Sequence, residues 1–133
     1  MPATPEGEVN KVLDGFYKEI GALAVKPVQT GFGTRTVDYC PVIWEGLCWM
    51  VEAKRHGLTK SNVTTAQVKF LKKAATAGAW SFVVDSDEML KILILERAHK
   101  ESLPLRMFSR IEAWAPVIPA LERSLEVYRA LEL

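Results

Sequence analysis

The chain has 133 residues, 49% hydrophobic and 25% charged, which is the composition of one ordinary globular domain with a single core. No stretch approaches the roughly 18 uninterrupted apolar residues of a membrane span, and Met1-Pro2-Ala3-Thr4-Pro5 lacks the parts of a signal peptide, so a soluble intracellular protein is expected. The formal net charge of +1 excludes a protein that coats nucleic acid through bulk charge; binding to phosphates would rest on local basic clusters that release counterions.

From Glu6 to about Ala24 the apolar residues Val9, Val12, Leu13, Phe16, Ile20 and Leu23 recur at three and four, the spacing of an amphipathic helix. Lys26-Pro27 breaks the pattern, and Gly31-Phe32-Gly33-Thr34 reads as a loop. Thr36 to Ile43 and Leu47 to Lys54 are rich in strand formers and flank Trp44-Glu45-Gly46, which suits a three-residue hairpin loop. If Ile43 pairs with Leu47, Asp38 falls opposite Glu52, with Lys54 two residues along on the same face. The other face then carries Val37, Tyr39, Ile43, Leu47, Trp49, Val51 and Ala53, a set suited to packing under a helix. A two-residue loop would instead send Asp38 to the opposite face from Glu52.

After a loop from Arg55 to Asn62, a helix is expected from about Thr64 to Ala77, capped by Thr64 or a polar neighbour and stopped by Gly78. Val68, Leu71 and Ala75 are its inner face, while Lys69, Lys72 and Lys73 look outward. Trp80 to Val84 reads as a short buried strand, and Asp85-Ser86-Asp87-Glu88 as a capping box opening a helix through Ile94. The pattern loosens around Pro104, Pro116 and Pro119 before a last helix with Ile118, Leu121, Leu125, Tyr128 and Leu131 on one stripe. The expected organisation is a core over residues 1–98 and a helical C-terminal extension, 99–133, packed on the same domain.

Asp38, Glu52 and Lys54 are the constellation that carries chemistry. Two carboxylates on adjacent strands suit a hard divalent ion such as Mg²⁺ or Mn²⁺, with the Ala53 carbonyl as a further oxygen ligand and open positions for water and a phosphate oxygen. Such an ion neutralises a scissile phosphate and favours hydroxide from bound water, while the nearby Lys54 ammonium orients that water or stabilises the transition state. A Glu-Ala-Lys triplet alone is commonly an exposed strand face. Its position on an otherwise apolar hairpin, where unpaired burial is costly, favours the functional reading.

Glu8 in a first helix, Gly31-Phe32-Gly33 before Val37-Asp38, then Val51-Glu52-Ala53-Lys54, and Thr65-Ala66-Gln67 opening a helix that ends near Ala77-Gly78-Ala79 together resemble VRR-NUC domains, a branch of the PD-(D/E)xK phosphodiesterases. The similarity covers roughly residues 6 to 95. Where the family commonly has a Gly and often a Pro before the aspartate, this chain has Thr36-Val37. The resemblance implies a restriction-endonuclease-like α/β core, a mixed central sheet flanked by helices, and metal-dependent hydrolysis of DNA. Under it, Asp38 and Glu52 are direct ligands, Glu8 supports the metal or its water, Lys54 assists the nucleophile, and Gln67 positions the site or the phosphate. Arg35, Arg55, His56, Lys60, Lys69, Lys72 and Lys73 become the nucleic-acid contacts. Stand-alone relatives further imply a homodimer acting on branched DNA such as four-way junctions.

Other motifs carry less. Gly31-Phe32-Gly33 fails the dinucleotide pattern because Thr36 stands where the third glycine belongs. His56 and His99 form no zinc motif, and Cys40 and Cys48 fit neither a zinc spacing nor a disulfide framework and are read as core. Trp44, Trp49, Trp80 and Trp114 are read as core or interface anchors. Two competing classes are a non-catalytic DNA-binding or assembly module that keeps the nuclease fold, and a protein-interaction domain working through its C-terminal helix.

Overall fold

The computed structural model describes residues 5–27, 37–54 and 63–119. The chain divides into two compact units, Met1–Asp87 and Glu88–Leu133. In the first, helix α1 (Pro5–Ile20) precedes strands β1 (Leu23–Ala24), β2 (Tyr39–Trp44) and β3 (Leu47–Ala53), helix α2 (Thr65–Thr76) and strand β4 (Trp80–Val84). The strands form one sheet in the order β1-β2-β3-β4, antiparallel except for the parallel β3–β4 pair, so this is a mixed α/β sheet. A parallel pair needs a crossover, and α2 provides it. Helix α3 (Asp87–Lys100) leads into the second unit, where α4 (Arg106–Ser109) and a 3-10 turn (Glu112–Trp114) follow. In that unit Leu90, Ile94, Leu95 and Ala98 of α3 are buried, and Phe108 stands edge-on to Trp114 at 4.9 Å. The expected final helix lies almost wholly outside the described residues.

The buried stripe of α1 is rotated from the one its periodicity suggests. Leu13, Phe16, Tyr17 and Ile20 are buried, whereas Val12 and Leu23 are exposed, and Leu23 belongs to the edge strand β1 rather than to the helix. Tyr17, about 140° round the helix from Val12, extends the buried stripe on its other flank. Its ring stands edge-on to Tyr39 at 5.0 Å, and its hydroxyl accepts from Trp49 Nε1 at 3.5 Å. Trp44 Nε1 donates to the Ile20 carbonyl at 2.9 Å, so the hairpin lies under α1 along its length. Trp44, Trp49, Trp80 and Trp114 are all buried, while Cys40 and Cys48 are only half-buried.

The hairpin register departs from expectation twice, and the departures cancel. Trp44 pairs with Leu47, leaving a two-residue turn in which Glu45 and Gly46 have φ of 49° and 79°. Both signs are those of a type I′ turn, whose twist matches the strands; Gly46 adopts that conformation without a steric penalty. Ile43 therefore pairs with Cys48 and is exposed instead of joining the apolar face. Between Val42 and Tyr39, however, β2 carries a bulge, after which Tyr39 pairs with Val51. Pro41 has no N–H to give a ladder, so one extra residue is accommodated there. Continued by one residue, the shifted register brings Asp38 level with Glu52 despite the short turn.

The α2 helix begins and ends where its sequence indicates. The Thr64 side chain accepts from Gln67 N at 3.2 Å, and Gln67 Oε1 accepts from Thr64 N at 3.1 Å, a reciprocal capping box. At the other end Gly78, at φ 108°, closes a Schellman motif in which Ala79 N donates to the Ala74 carbonyl at 3.0 Å. The short connection from Gly78 to Trp80 obliges α2 to run antiparallel to β4.

Candidate active site

Alternation along the strands sorts the side chains. Tyr39, Val51 and Ala53 are fully buried on the α1 side. Asp38, Glu52 and Lys54, the intervening residues, project to the side on which α2 lies. Tyr39 marks this division: its single hydroxyl proton is shared between the Asp14 carboxylate at 2.6 Å and the Asn10 carbonyl at 2.9 Å. Asp14 is in turn paired with Lys26. Burial, reinforced by the hydrogen bond to Asp14, holds the Tyr39 phenol far above its ordinary range, and burial does the same for Tyr17. Both rings stay neutral.

Asp38 is fixed by a bond that the ladder would otherwise have made. Its Oδ2 accepts from Ala53 N at 2.8 Å, just beyond the start of β2 at Tyr39. On the other edge of β3, Lys54 N donates to the Val84 carbonyl at 2.8 Å. Successive residues of a strand point their backbone groups to opposite edges, so the Ala53 carbonyl, like its N–H, faces the Asp38 edge.

Glu52 and Lys54 retain only 3% and 9% exposure, with Gln67 at 7%. A carboxylate and an ammonium lose several kcal/mol each when taken out of water, of order the whole stability of a small domain, unless their surroundings offset it. Gln67 reaches this side of the sheet from α2. Ser81 Oγ donates to the Leu71 carbonyl at 2.8 Å, and Ser81 pairs with Met50. One helical turn earlier, about 5.4 Å back along the axis, Gln67 stands toward the Glu52–Val83 pair. Since Gln67 Oε1 is engaged by its own cap, its Nε2 hydrogens are what it offers outward.

Glu8 is exposed near the start of α1. The Tyr39 bond to Asn10 ties that end of the helix to the Asp38 end of the hairpin. Arg35, Arg55, His56 and Lys60 lie outside the described residues. Lys69, Lys72 and Lys73 are exposed, as expected, on the outer faces of α2. Cys40 lies close to Asp38, yet burial, with a smaller contribution from Cys48, raises its thiol and keeps it protonated.

Among the described residues no three His, Cys, Asp or Glu side chains form a complete metal cage. Asp38, Glu52 and the Ala53 carbonyl are all oxygen donors. That set fits Mg²⁺ or Mn²⁺, since Mg²⁺ commonly takes one or two carboxylates and fills its remaining positions with water and phosphate. No helix among the described residues is long and apolar enough to cross a membrane.

Two elements escaped the sequence pattern. The Asp14–Tyr39–Asn10 anchor joins residues 25 and 29 apart, a pairing no local periodicity signals. Phe70, on the flank of α2, has a part in a groove described below; an aromatic residue between Lys69 and Leu71 was the available sign.

No family model matches the sequence, and no curated protein does. Among solved structures, one described as a VRR_NUC domain superposes with a TM-score of 0.57 at 30% sequence identity, over 69% of this chain and 96% of that one. Identity at this level over nearly the whole of that domain, together with the mixed sheet and its flanking helices, establishes that the chain belongs to the VRR-NUC family of nuclease-type domains.

Proposed function

We propose that the chain is a Mg²⁺- or Mn²⁺-dependent DNA endonuclease, with Asp38, Glu52 and Lys54 as its catalytic core. The observation that carries the reading is Asp38, held by the Ala53 N–H beside the buried Glu52 and Lys54. Asp38, Glu52 and the Ala53 carbonyl would hold the cation. When bound, the cation neutralises the scissile phosphate and lowers the pKa of a coordinated water. The Lys54 ammonium, covered from bulk water, would orient the attacking water or donate to a non-bridging phosphate oxygen, where charge develops in the transition state. Gln67 Nε2 donates to the phosphate, and Glu8 holds a water at the rim. Lys69, Lys72 and Lys73, with Arg35, Arg55, His56 and Lys60, contact the backbone of the nucleic acid. Branched DNA cut by a pair of subunits is the substrate and assembly that the family resemblance suggests.

A labelled panel of single-stranded, duplex, flap and four-way-junction DNA, incubated with Mg²⁺, Mn²⁺ or EDTA, tests this. Metal-dependent cutting lost in Glu52→Ala is the expected result, with a fall of at least about a hundredfold in Lys54→Ala, in line with loss of one transition-state donor. Full turnover in Lys54→Ala would sink the role given to that lysine. The three lysines of α2, a helix with no acid of its own, favour a second reading, a non-catalytic DNA-binding module; binding unchanged by EDTA with no cutting of any substrate would support it.

A further inference from the structure

On the flank of α2, away from the buried carboxylate, Thr65, Ala66, Lys69, Phe70 and Lys73 line an open groove of about 560 Å³. Its electrostatics are one-sided. Residues 65–76, TAQVKFLKKAAT, include three lysines and no acid, and among the described residues no carboxylate pairs with Lys69 or Lys73. The nearby start of the helix adds the positive end of its dipole. Lys69 and Lys73, four apart, are neighbours one turn from each other on the helix surface. Lys72 points elsewhere, about 100° round the helix from Lys73. Phe70 is only half-buried and forms part of the groove's wall, with the small Ala66 and Thr65 leaving room beside it.

Two ammonium groups with no carboxylate partner among the described residues attract an anion, but inorganic phosphate would leave the aromatic wall without a role, and an apolar ligand would leave the lysines without one. A nucleotide uses both, since bases stack on aromatic rings irrespective of sequence while phosphates neutralise lysines. A base paired within a duplex keeps its faces stacked on its neighbours. We propose that this groove seats one unpaired nucleotide of a DNA strand, its base against Phe70 and its flanking phosphates on Lys69 and Lys73. Resting on the nuclease reading for its choice of DNA, this assigns the groove to the single-stranded portion of the substrate.

The test is fluorescence anisotropy in EDTA with a labelled oligo-dT and an abasic strand of equal length. Phe70→Leu, which keeps apolar bulk without a stacking face, is expected to weaken oligo-dT binding about tenfold and leave the abasic strand unaffected, while Phe70→Tyr binds like the native protein. Lys69→Gln with Lys73→Gln is expected to lower the slope of log affinity against log salt by about 1.4, at about 0.7 per phosphate contact on a single strand. Equal affinity of native protein and Phe70→Leu for oligo-dT, or no discrimination between the two strands by the native protein, overturns the proposal. Phe70-dependent binding by a protein that cuts nothing would retire the nuclease reading and leave the groove standing; metal-dependent cutting unaffected by Phe70→Leu, with equal strand binding, would do the reverse.

Discussion

Asp38 and Tyr39 are adjacent, yet their side chains serve opposite faces of the sheet. The phenol is tied to Asn10 and Asp14, so the backbone from which Asp38 projects is fixed from behind. A neutral phenol does this work, which gives it a pH signature. Tyr17 and Tyr39 ionise less readily in the folded protein than in the unfolded chain, where their pKa lies near the ordinary value of about 10. Above that pH the unfolded chain gives up these protons first, so their contribution to stability is fully present below about pH 10 and is lost as pH rises further. Urea midpoints between pH 7 and pH 11 are expected to fall less steeply above pH 10 in Tyr17→Phe/Tyr39→Phe than in the native protein; parallel curves would remove this account. Individual side chains were unevenly legible in the sequence. Glu52 and Lys54 declare their shared face through strand alternation, while Tyr39 shows only as an apolar position because its partners lie in a distant helix.

Element by element, legibility follows locality. The α2 helix is bounded by residues whose own chemistry caps it, Thr64 with Gln67 at one end and Gly78 at the other, and its limits were accordingly readable. Gln67 thereby has a structural duty in addition to the one proposed at the site. Thr64→Ala is expected to cost about 1 kcal/mol, the usual effect of losing an N-cap. Denaturant unfolding checks it, and an unchanged midpoint would mean that the helix start is held by other contacts. The hairpin was harder. Glu45 is not a residue that advertises a positive φ, so a three-residue loop with glycine at its end fitted the sequence equally well. The bulge had a local sign in Pro41, but its place in the ladder depends on how β2 lies between β1 and β3. Cys40 N, for instance, donates to Val25 on the other edge at 2.8 Å. The two-residue strand β1 is too short for any periodicity to reveal.

For the whole molecule, metal binding and folding are linked if Asp38 and Glu52 hold a cation. A ligand that binds only the folded state raises stability by mass action, by about 2.7 kcal/mol at a hundredfold excess over its Kd. Millimolar Mn²⁺ is therefore expected to raise the thermal midpoint of the native protein, EDTA to reverse the rise, and Asp38→Asn/Glu52→Gln to show none. A rise that persists in the double variant would place the cation elsewhere. Alternating strand and helix periods mark both element types along the chain, while the mixed sheet was expected from the resemblance to VRR-NUC domains. Global charge was less informative, since a net +1 conceals a helix that has three lysines and no acid.

The bulge in β2 turns the spacing of the site into a question of parity. Asp38 and Glu52 are fourteen residues apart, an even separation that an uninterrupted antiparallel ladder satisfies only around an odd-numbered turn. This chain has an even turn and supplies the odd residue at Cys40-Pro41. Two different backbone routes thus deliver the same pair of carboxylates to the same face. A relative could combine a longer turn with a straight strand without altering the fourteen-residue count, so the interval between the acids, more than the shape of the loop joining them, is the quantity on which the proposed chemistry would depend.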